Sequence, residues 1–87
     1  MSHMVKKGIV FKKDDGTIFI IDRVLDVGMG VGFELRTQIM AKAITRNSKQ
    51  YVRMSLNMRE LKQYIGNLNQ QDIDKLNLLG IKYYTDL

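Results

Sequence analysis

The sequence predicts an α+β fold, in which an antiparallel sheet of about four to five strands packs on two short C-terminal helices. Three observations indicate this class. Apolar and polar residues alternate through long stretches before residue 57, which is typical of strands with one buried face. An Asp-Gly pair near the start favours a hairpin. From Met58 onward the apolar spacing becomes that of amphipathic helices.

The first predicted element is a β-hairpin. The run GIVFKK at residues 8–13 and the β-branched run TIFIIDRVLDV at residues 17–27 flank the turn sequence Asp14-Asp15-Gly16. Asp-Gly supplies the positive φ angles that tight hairpin turns need, and β-branched residues favour strands. We expect the second strand to end at the glycine cluster Gly28, Gly30 and Gly32.

A second hairpin is predicted from a strict period of two. In the stretch from Phe33 to Arg46, one face carries Thr37, Ile39, Ala41 and Ala43, and the other carries Arg36, Gln38, Met40, Lys42 and Ile44. Residues 50–56 alternate in the same way, with Val52, Met54 and Leu56 facing the core. A two-residue turn at Asn47-Ser48 would place Lys42 opposite Arg53, Arg46 opposite Lys49 and Met40 opposite Ser55.

Two helices and a closing strand are predicted for the tail. Asn57 is an N-cap candidate for the first helix, and Asn69, with Asp72 three positions later, caps the second. We expect Ile73, Leu76 and Leu79 to point inward and Gly80 to end the second helix. The residues Ile81 to Tyr84 are expected to form a short strand. Both helices are expected to cover the same side of the sheet.

Composition excludes several classes of function. The chain has no cysteine, and its single histidine lies in the first four residues, which we interpret as a cloning scar preceding one small domain at residues 5–87. Disulfides, zinc–thiolate sites and histidine-dependent triads are therefore excluded. We expect no catalytic, metal or cofactor-binding residues. No apolar run reaches the roughly 20 residues of a membrane span, so we expect a cytoplasmic protein with no membrane partner.

The glycine cluster raises the alternative of an enzyme. The stretch VLDVGMGVG, residues 24–32, resembles the first motif of S-adenosylmethionine-dependent methyltransferases, in which Asp26 precedes a G-x-G-x-G loop. That family's parallel sheet needs several βαβ units of about 30 residues, and a second carboxylate should follow to hold the ribose. Ser55 or Asn57 stands at the nearest equivalent position. We therefore expect a bulged or flexible connection that does not bind the cofactor.

Basic charge is concentrated before the second helix. Residues 1–62 contain 12 Lys and Arg against 6 Asp and Glu, whereas residues 63–87 contain 2 against 3. The polar face of the second hairpin carries much of this charge beside an exposed tyrosine. Such a face suits phosphates and stacked bases. The predicted nucleic-acid-binding residues are Arg36, Lys42, Arg46, Lys49, Tyr51 and Arg53, with Lys12 and Lys13 at the border.

Two other interpretations of this face remain open. A solvated basic face can protect a sheet from edge-to-edge aggregation, and a basic face can also bind an acidic protein. We expect single-stranded RNA, bound with tolerance of sequence, and the composition leaves RNA and DNA undistinguished. A homo-oligomer is also compatible with a domain this small.

The opening GIVFKKDDGTIFIIDRV and the Asn-, Lys- and Ile-rich tail resemble the small basic accessory proteins of T-even-like phages, among them the TifA-like inhibitors of a host RNase toxin. The resemblance rests on length, charge and composition, and it carries over no site residues. It implies a non-enzymatic, RNA-binding protein of the host cytoplasm. RNA bound to the basic face would then help to hold the toxin, a nuclease, in an inactive ribonucleoprotein complex.

Overall fold

The predicted α+β architecture is confirmed. The computed structural model describes residues 5–29, 36–44 and 50–86 of the 87-residue chain. The described elements are β1 (Val10–Lys12), β2 (Ile18–Met29), β3 (Arg36–Ala43), β4 (Tyr51–Asn57), α1 (Met58–Gly66) and α2 (Gln70–Leu78). The strands form one antiparallel sheet in the order β1-β2-β3-β4, so consecutive strands are neighbours. The proposed scar at residues 1–4 lies outside the described residues.

The first hairpin forms at the predicted turn. Lys13 N–H donates to the Thr17 carbonyl at 2.9 Å, and Gly16 adopts a φ of +92° in the turn. Thr17 N–H donates to the Asp15 carboxylate at 2.9 Å, and this hydrogen bond holds the pKa of Asp15 below its ordinary value. β2 continues through Gly28 and ends at Met29, two residues beyond the predicted run 17–27 and within the glycine cluster that was expected to end it. The other two glycines of the cluster lie outside the described residues.

The larger core lies between the sheet and α1. Leu61, the buried residue of α1, packs on a sheet face formed by Phe11, Phe19, Ile21, Ile39, Ala41, Ala43 and Leu56. The Phe11 ring centroid lies 5.7 Å from that of Phe19 and 6.1 Å from that of Tyr64 on α1. Burying one such side chain stabilises the fold by about 1.5–3 kcal/mol. We call this side of the sheet the α1 face.

The second helix packs on the opposite side of the sheet. Leu76 of α2 is fully buried in a smaller core with Val10, Ile18 and Ile44. Successive residues of a strand point to opposite faces, and Val10 and Phe11 contribute to different cores. The expectation that both helices cover one side is therefore wrong. One helix packs on each face of the sheet, and α2 covers only the part of its face near β1 and the start of β2.

Both helices begin at the predicted caps. Asn57 and Glu60 form a capping box on α1, and Asn69 and Asp72 form one on α2. The second helix stops as predicted at a glycine, since Gly80 has a φ of +70°. The inward position expected for Leu79 is wrong, because that side chain is 53% exposed.

The tail makes less sheet structure than expected. Only Tyr84 pairs with the sheet, through an isolated parallel bridge to Ile9 beside β1. Tyr84 N–H donates to the Gly8 carbonyl at 2.8 Å, and Val10 N–H donates to the Tyr84 carbonyl at 2.9 Å. Tyr83 is partly buried and packs against the smaller core that contains Leu76. The tail therefore covers the outer edge of β1.

An ion pair fixes α2 to the first strand. Lys12 Nζ lies 3.0 Å from the Asp72 carboxylate, with 21% and 14% of the respective side chains exposed. Burial raises the pKa of Asp72, but the Asn69 N–H and the Lys12 ammonium outweigh burial and hold that pKa below its ordinary value of 3.8. Lys12 is therefore engaged with α2, on the same side of the sheet as Lys42.

We expect Asp72→Asn to lower the free energy of unfolding by about 1 kcal/mol at pH 7, because it removes a partly buried charge-assisted hydrogen bond. The pKa of Asp72 is lower in the folded state than in the unfolded chain. Its stabilisation is therefore present above about pH 4 and is lost as the pH falls through the folded pKa. Urea unfolding from pH 7 to pH 2 should show wild type converging on Asp72→Asn. Asp74→Asn, an exposed change on the same helix, is the control. Its free energy of unfolding should follow that of wild type over the whole pH range.

Candidate nucleic-acid interface

The register between β3 and β4 differs from the predicted one by two residues. Lys42 lies opposite Tyr51, and Met40 lies opposite Arg53. The expected pairing of Lys42 with Arg53 is wrong, and so is that of Met40 with Ser55, which lies opposite Gln38. The expected pair of Arg46 and Lys49 lies outside the described residues. The turn predicted at Asn47-Ser48 also lies outside the described residues.

A shift of two residues leaves every side chain on its predicted face, because the side-chain period of a strand is two. Ile39 and Ala41 are buried on the α1 face, as expected. Lys42, Tyr51 and Arg53 share the opposite face, which α2 leaves open over β3 and β4. The structure thus brings together three of the predicted site residues.

Arg23 joins this face through a β-bulge. The pairing of β2 with β3 shifts between Ile21 and Arg23, so that Arg23 lies opposite Met40. Without the bulge, alternation from Ile21 would have placed Arg23 on the α1 face. Sequence reasoning missed this residue, and no Gly or turn signal in the local sequence marks the bulge. We call Arg23, Lys42, Tyr51 and Arg53 the open basic patch.

The open basic patch is built around Met40. Arg23 on β2 and Arg53 on β4 flank this methionine on β3, so their Cα atoms lie about two strand spacings, or about 10 Å, apart. Lys42 lies two residues along β3, beside Tyr51, whose side chain is 52% exposed. The patch therefore combines three cationic side chains with one exposed aromatic ring.

The positive charge of the patch is balanced only in part, because Asp22 precedes Arg23 at the bulge and alternates from Ile21 onto the same face, where it forms no ion pair with a described patch residue. Arg53 Nη2 donates to the neutral amide oxygen of Gln38 at 2.8 Å, which orients the guanidinium without neutralising it. Within residues 5–29, 36–44 and 50–86, neither Arg23 nor Lys42 forms an ion pair with an acidic side chain. Asp26 lies in the next row of the same face, opposite Gln38, and bounds the patch on that side. A bound anion would therefore relieve repulsion among the three cations.

Arg36 has a structural role at the far end of β3. Its guanidinium donates to the Ser55 hydroxyl at 3.0 Å, to the Ser55 carbonyl at 2.7 Å and to Glu60 at 3.1 Å. These contacts join β3, β4 and the first turn of α1. Gln38 and Ser55 lie between Arg36 and Arg53 on this face. Arg46 and Lys49, the remaining predicted site residues, lie outside the described residues.

The described part of the glycine motif lies within a strand. Asp26 and Gly28 lie within β2, which pairs antiparallel with β3 as far as Met29 and Arg36. Only six residues separate these two paired positions, which is too few for the crossover helix of a βαβ unit. Register shifts occur between Val24 and Asp26 and between Asp26 and Met29. Asp26 and Gly28 therefore lie in an irregular strand of an antiparallel pair, whereas the methyltransferase motif belongs to a parallel sheet.

Comparisons with known proteins give no family for this chain: no family model, no curated protein and no solved structure matches it. Among the described helices, none is long and apolar enough to span a bilayer. The described side chains also contain no group of three or more His, Cys, Asp or Glu residues placed to hold a metal ion.

Proposed function

We propose that this chain is a non-enzymatic protein that binds single-stranded RNA through the open basic patch, with little dependence on sequence. The observation that supports the proposal is the convergence of Arg23, Lys42 and Arg53 around Met40, with their charges unpaired by acidic side chains of the described residues. Phosphates would offset that charge, and release of their counterions would favour binding.

Tyr51 adds a means of binding bases. Its ring is half-exposed, projects from the sheet beside Lys42 and has no hydrogen-bond partner among the described residues. Base stacking on an aromatic ring contributes about 1–3 kcal/mol per base and tolerates any sequence. An unpaired strand can present its bases to such a ring, whereas a duplex keeps its bases stacked on one another. We therefore favour a single strand as the ligand.

The resemblance to T-even-like phage accessory proteins extends this proposal to a biological role. RNA held on the open basic patch would join the chain to a host RNase toxin and keep the toxin inactive in a ribonucleoprotein complex. Growth rescue during co-expression with such a toxin tests this role. Rescue that persists in a variant that no longer binds RNA would show that inhibition does not use the patch.

RNA binding should weaken steeply with salt. If the three described cations each contact a phosphate, log K should fall against log salt with a slope of about −2, and more steeply if Arg46 and Lys49 also contact phosphates. Anisotropy titrations of a labelled single-stranded oligonucleotide measure this slope. Lys42→Gln and Arg23→Gln should each reduce its magnitude by about 0.7.

Lys62→Gln is the matched control for these titrations, because Lys62 is exposed on α1, across the sheet from the patch. A flat salt response, or equal losses for Lys62→Gln and Lys42→Gln, would contradict the proposed interface. Duplex RNA of the same length and a DNA strand of the same sequence complete the set. Equal affinity for the duplex would contradict the role of Tyr51, and equal affinity for DNA would show that the ribose 2′-hydroxyl is not recognised.

A further inference from the structure

One edge of the sheet is closed and the other is open. The tail residue Tyr84 pairs with Ile9 and so covers the outer edge of β1. β4 is the last strand at the other side, and no described strand pairs with its outer edge. An unpaired edge presents backbone N–H and C=O groups that can pair with another strand.

The ladder shows which backbone groups of β4 face outward. Ala43 N–H donates to the Gln50 carbonyl, and in an antiparallel pair the residues that exchange hydrogen bonds alternate with those that do not. The backbone groups of residues 50, 52, 54 and 56 therefore face β3, and those of residues 51, 53, 55 and 57 face outward. Side chains already occupy part of this outward set, since Arg36 donates to the Ser55 carbonyl and Asn57 N–H donates to Glu60.

The open part of the edge is thus short and lies at Tyr51 and Arg53. Within the described part of the chain, the outward backbone groups of these two residues make no hydrogen bond. Two large hydrophobic side chains are exposed at the same place, Tyr51 at 52% and Val52 at 38%. Unused backbone groups and exposed apolar side chains therefore coincide at one three-residue window centred on Val52.

We infer that this window pairs antiparallel with the same window of a second copy of the chain. With a two-fold axis at Val52, Tyr51 and Arg53 of one copy exchange backbone hydrogen bonds with Arg53 and Tyr51 of the other. The two valines then face each other as a non-hydrogen-bonded pair on the α1 face, where their side chains approach most closely. Each tyrosine meets an arginine across the strands on the opposite face.

Other registers of the same pairing are disfavoured. A two-fold axis at Arg53 would place two arginines directly opposite each other and would require the Ser55 carbonyl, which Arg36 occupies. An axis at Met54 would require the outward N–H of Asn57, which Glu60 occupies. The axis at Val52 leaves both of these contacts intact and uses only the outward backbone groups of Tyr51 and Arg53, so a second copy of the chain supplies a strand that fits the window.

The pairing has a consequence that rests on the proposed function. A two-fold axis perpendicular to the sheet keeps the two open basic patches on the same side of one eight-stranded sheet. The dimer would then present six described cations to one RNA strand instead of three. Because each copy carries a net charge of +5, salt should strengthen dimerisation while it weakens RNA binding.

A single introduced thiol tests the pairing, since the chain has no cysteine. Cα atoms of a non-hydrogen-bonded antiparallel pair lie about 4.5 Å apart, within the range of about 4.4–6.8 Å that a disulfide spans. Nuclease-treated Val52→Cys should form a covalent dimer under mild oxidation. Met54→Cys should not, because the two sulfur-bearing residues would be four positions apart in this register. Leu78→Cys, at a site 87% exposed on α2, measures random crosslinking.

Crosslinking of Val52→Cys no greater than that of Leu78→Cys, or equal crosslinking of Met54→Cys, would overturn the inference. Sedimentation equilibrium of the nucleic-acid-free chain provides a non-covalent measurement: wild type should show a concentration-dependent dimer that Val52→Asp abolishes. A wild type that remains monomeric at high concentration and high salt would also overturn it. These experiments contain no RNA, so their outcome is separate from that of the RNA proposal. If both proposals hold, the slope of log K against log salt should be about −4 for the wild-type dimer, with six cations in contact, and about −2 for Val52→Asp, with three.

Discussion

Leu76→Ala should lower the free energy of unfolding by about 2–5 kcal/mol, the usual cost of truncating a buried leucine. Leu76 is fully buried and is the buried residue of α2. Its contacts with Val10, Ile18 and Ile44 hold the helix against the sheet. Domains are stable by about 5–15 kcal/mol, and an 87-residue chain lies near the lower end. The loss would therefore remove much of the total stability.

Urea unfolding at 25 °C measures this effect, and Leu78→Ala is its control. Leu78 lies two residues away on the same helix but is 87% exposed, so its truncation should change stability by less than about 0.5 kcal/mol. In Leu76→Ala, hydrogen exchange should show that α2 loses protection while β3 keeps it, because β3 packs in the larger core between the sheet and α1. Equal effects of the two truncations would mean that α2 is not anchored through Leu76.

The sequence predicts local features of this fold better than their arrangement. Polar caps such as Asn57 and Asn69 act within one helical turn, so they could be identified from neighbouring residues. The side of the sheet that α2 covers depends instead on the path of the chain after α1, and no local signal specifies it. Leu79 shows a related limit. Six residues after Ile73, at about 100° per residue, its side chain has turned by about 120° away from that of Ile73.

The sequence predicts part of the candidate site, and the reason is the side-chain period of a strand. Lys42, Tyr51 and Arg53 share a face in any register that keeps Ile39 and Ala41 buried, because the side-chain period is two. Cross-strand partners depend on the connection between β3 and β4, and the assumed two-residue turn gave the wrong ones. Arg23 could not be placed at all from alternation, since the bulge in β2 moves it to the other face.

Arg53→Glu should lower the affinity for single-stranded RNA by about tenfold to a hundredfold at low salt. The change removes one charge-assisted phosphate contact, typically about 1.5–3 kcal/mol, and adds a repelling charge to the patch. Stability should change by less than about 0.5 kcal/mol, because Arg53 is exposed and lies opposite Met40. Direct opposition to Lys42 would instead have predicted a gain in stability. Thermal melts of the variant therefore test the register, and anisotropy titrations test the interface.

Arg59→Glu separates the effect of position from the effect of net charge. Arg59 is exposed on α1, which covers the opposite face of the sheet, and its reversal changes the net charge by the same amount as Arg53→Glu. If binding depends on the open basic patch, Arg53→Glu should weaken it far more than Arg59→Glu, and Arg53→Gln should fall between the two. Equal losses for both reversals would show that RNA responds to the total charge of the chain. Among the described residues, Arg53 makes no ion pair that the fold would lose, so its reversal should leave stability unchanged. A loss of RNA affinity specific to Arg53→Glu, with unchanged stability, is therefore the combination expected of a side chain that contacts the ligand.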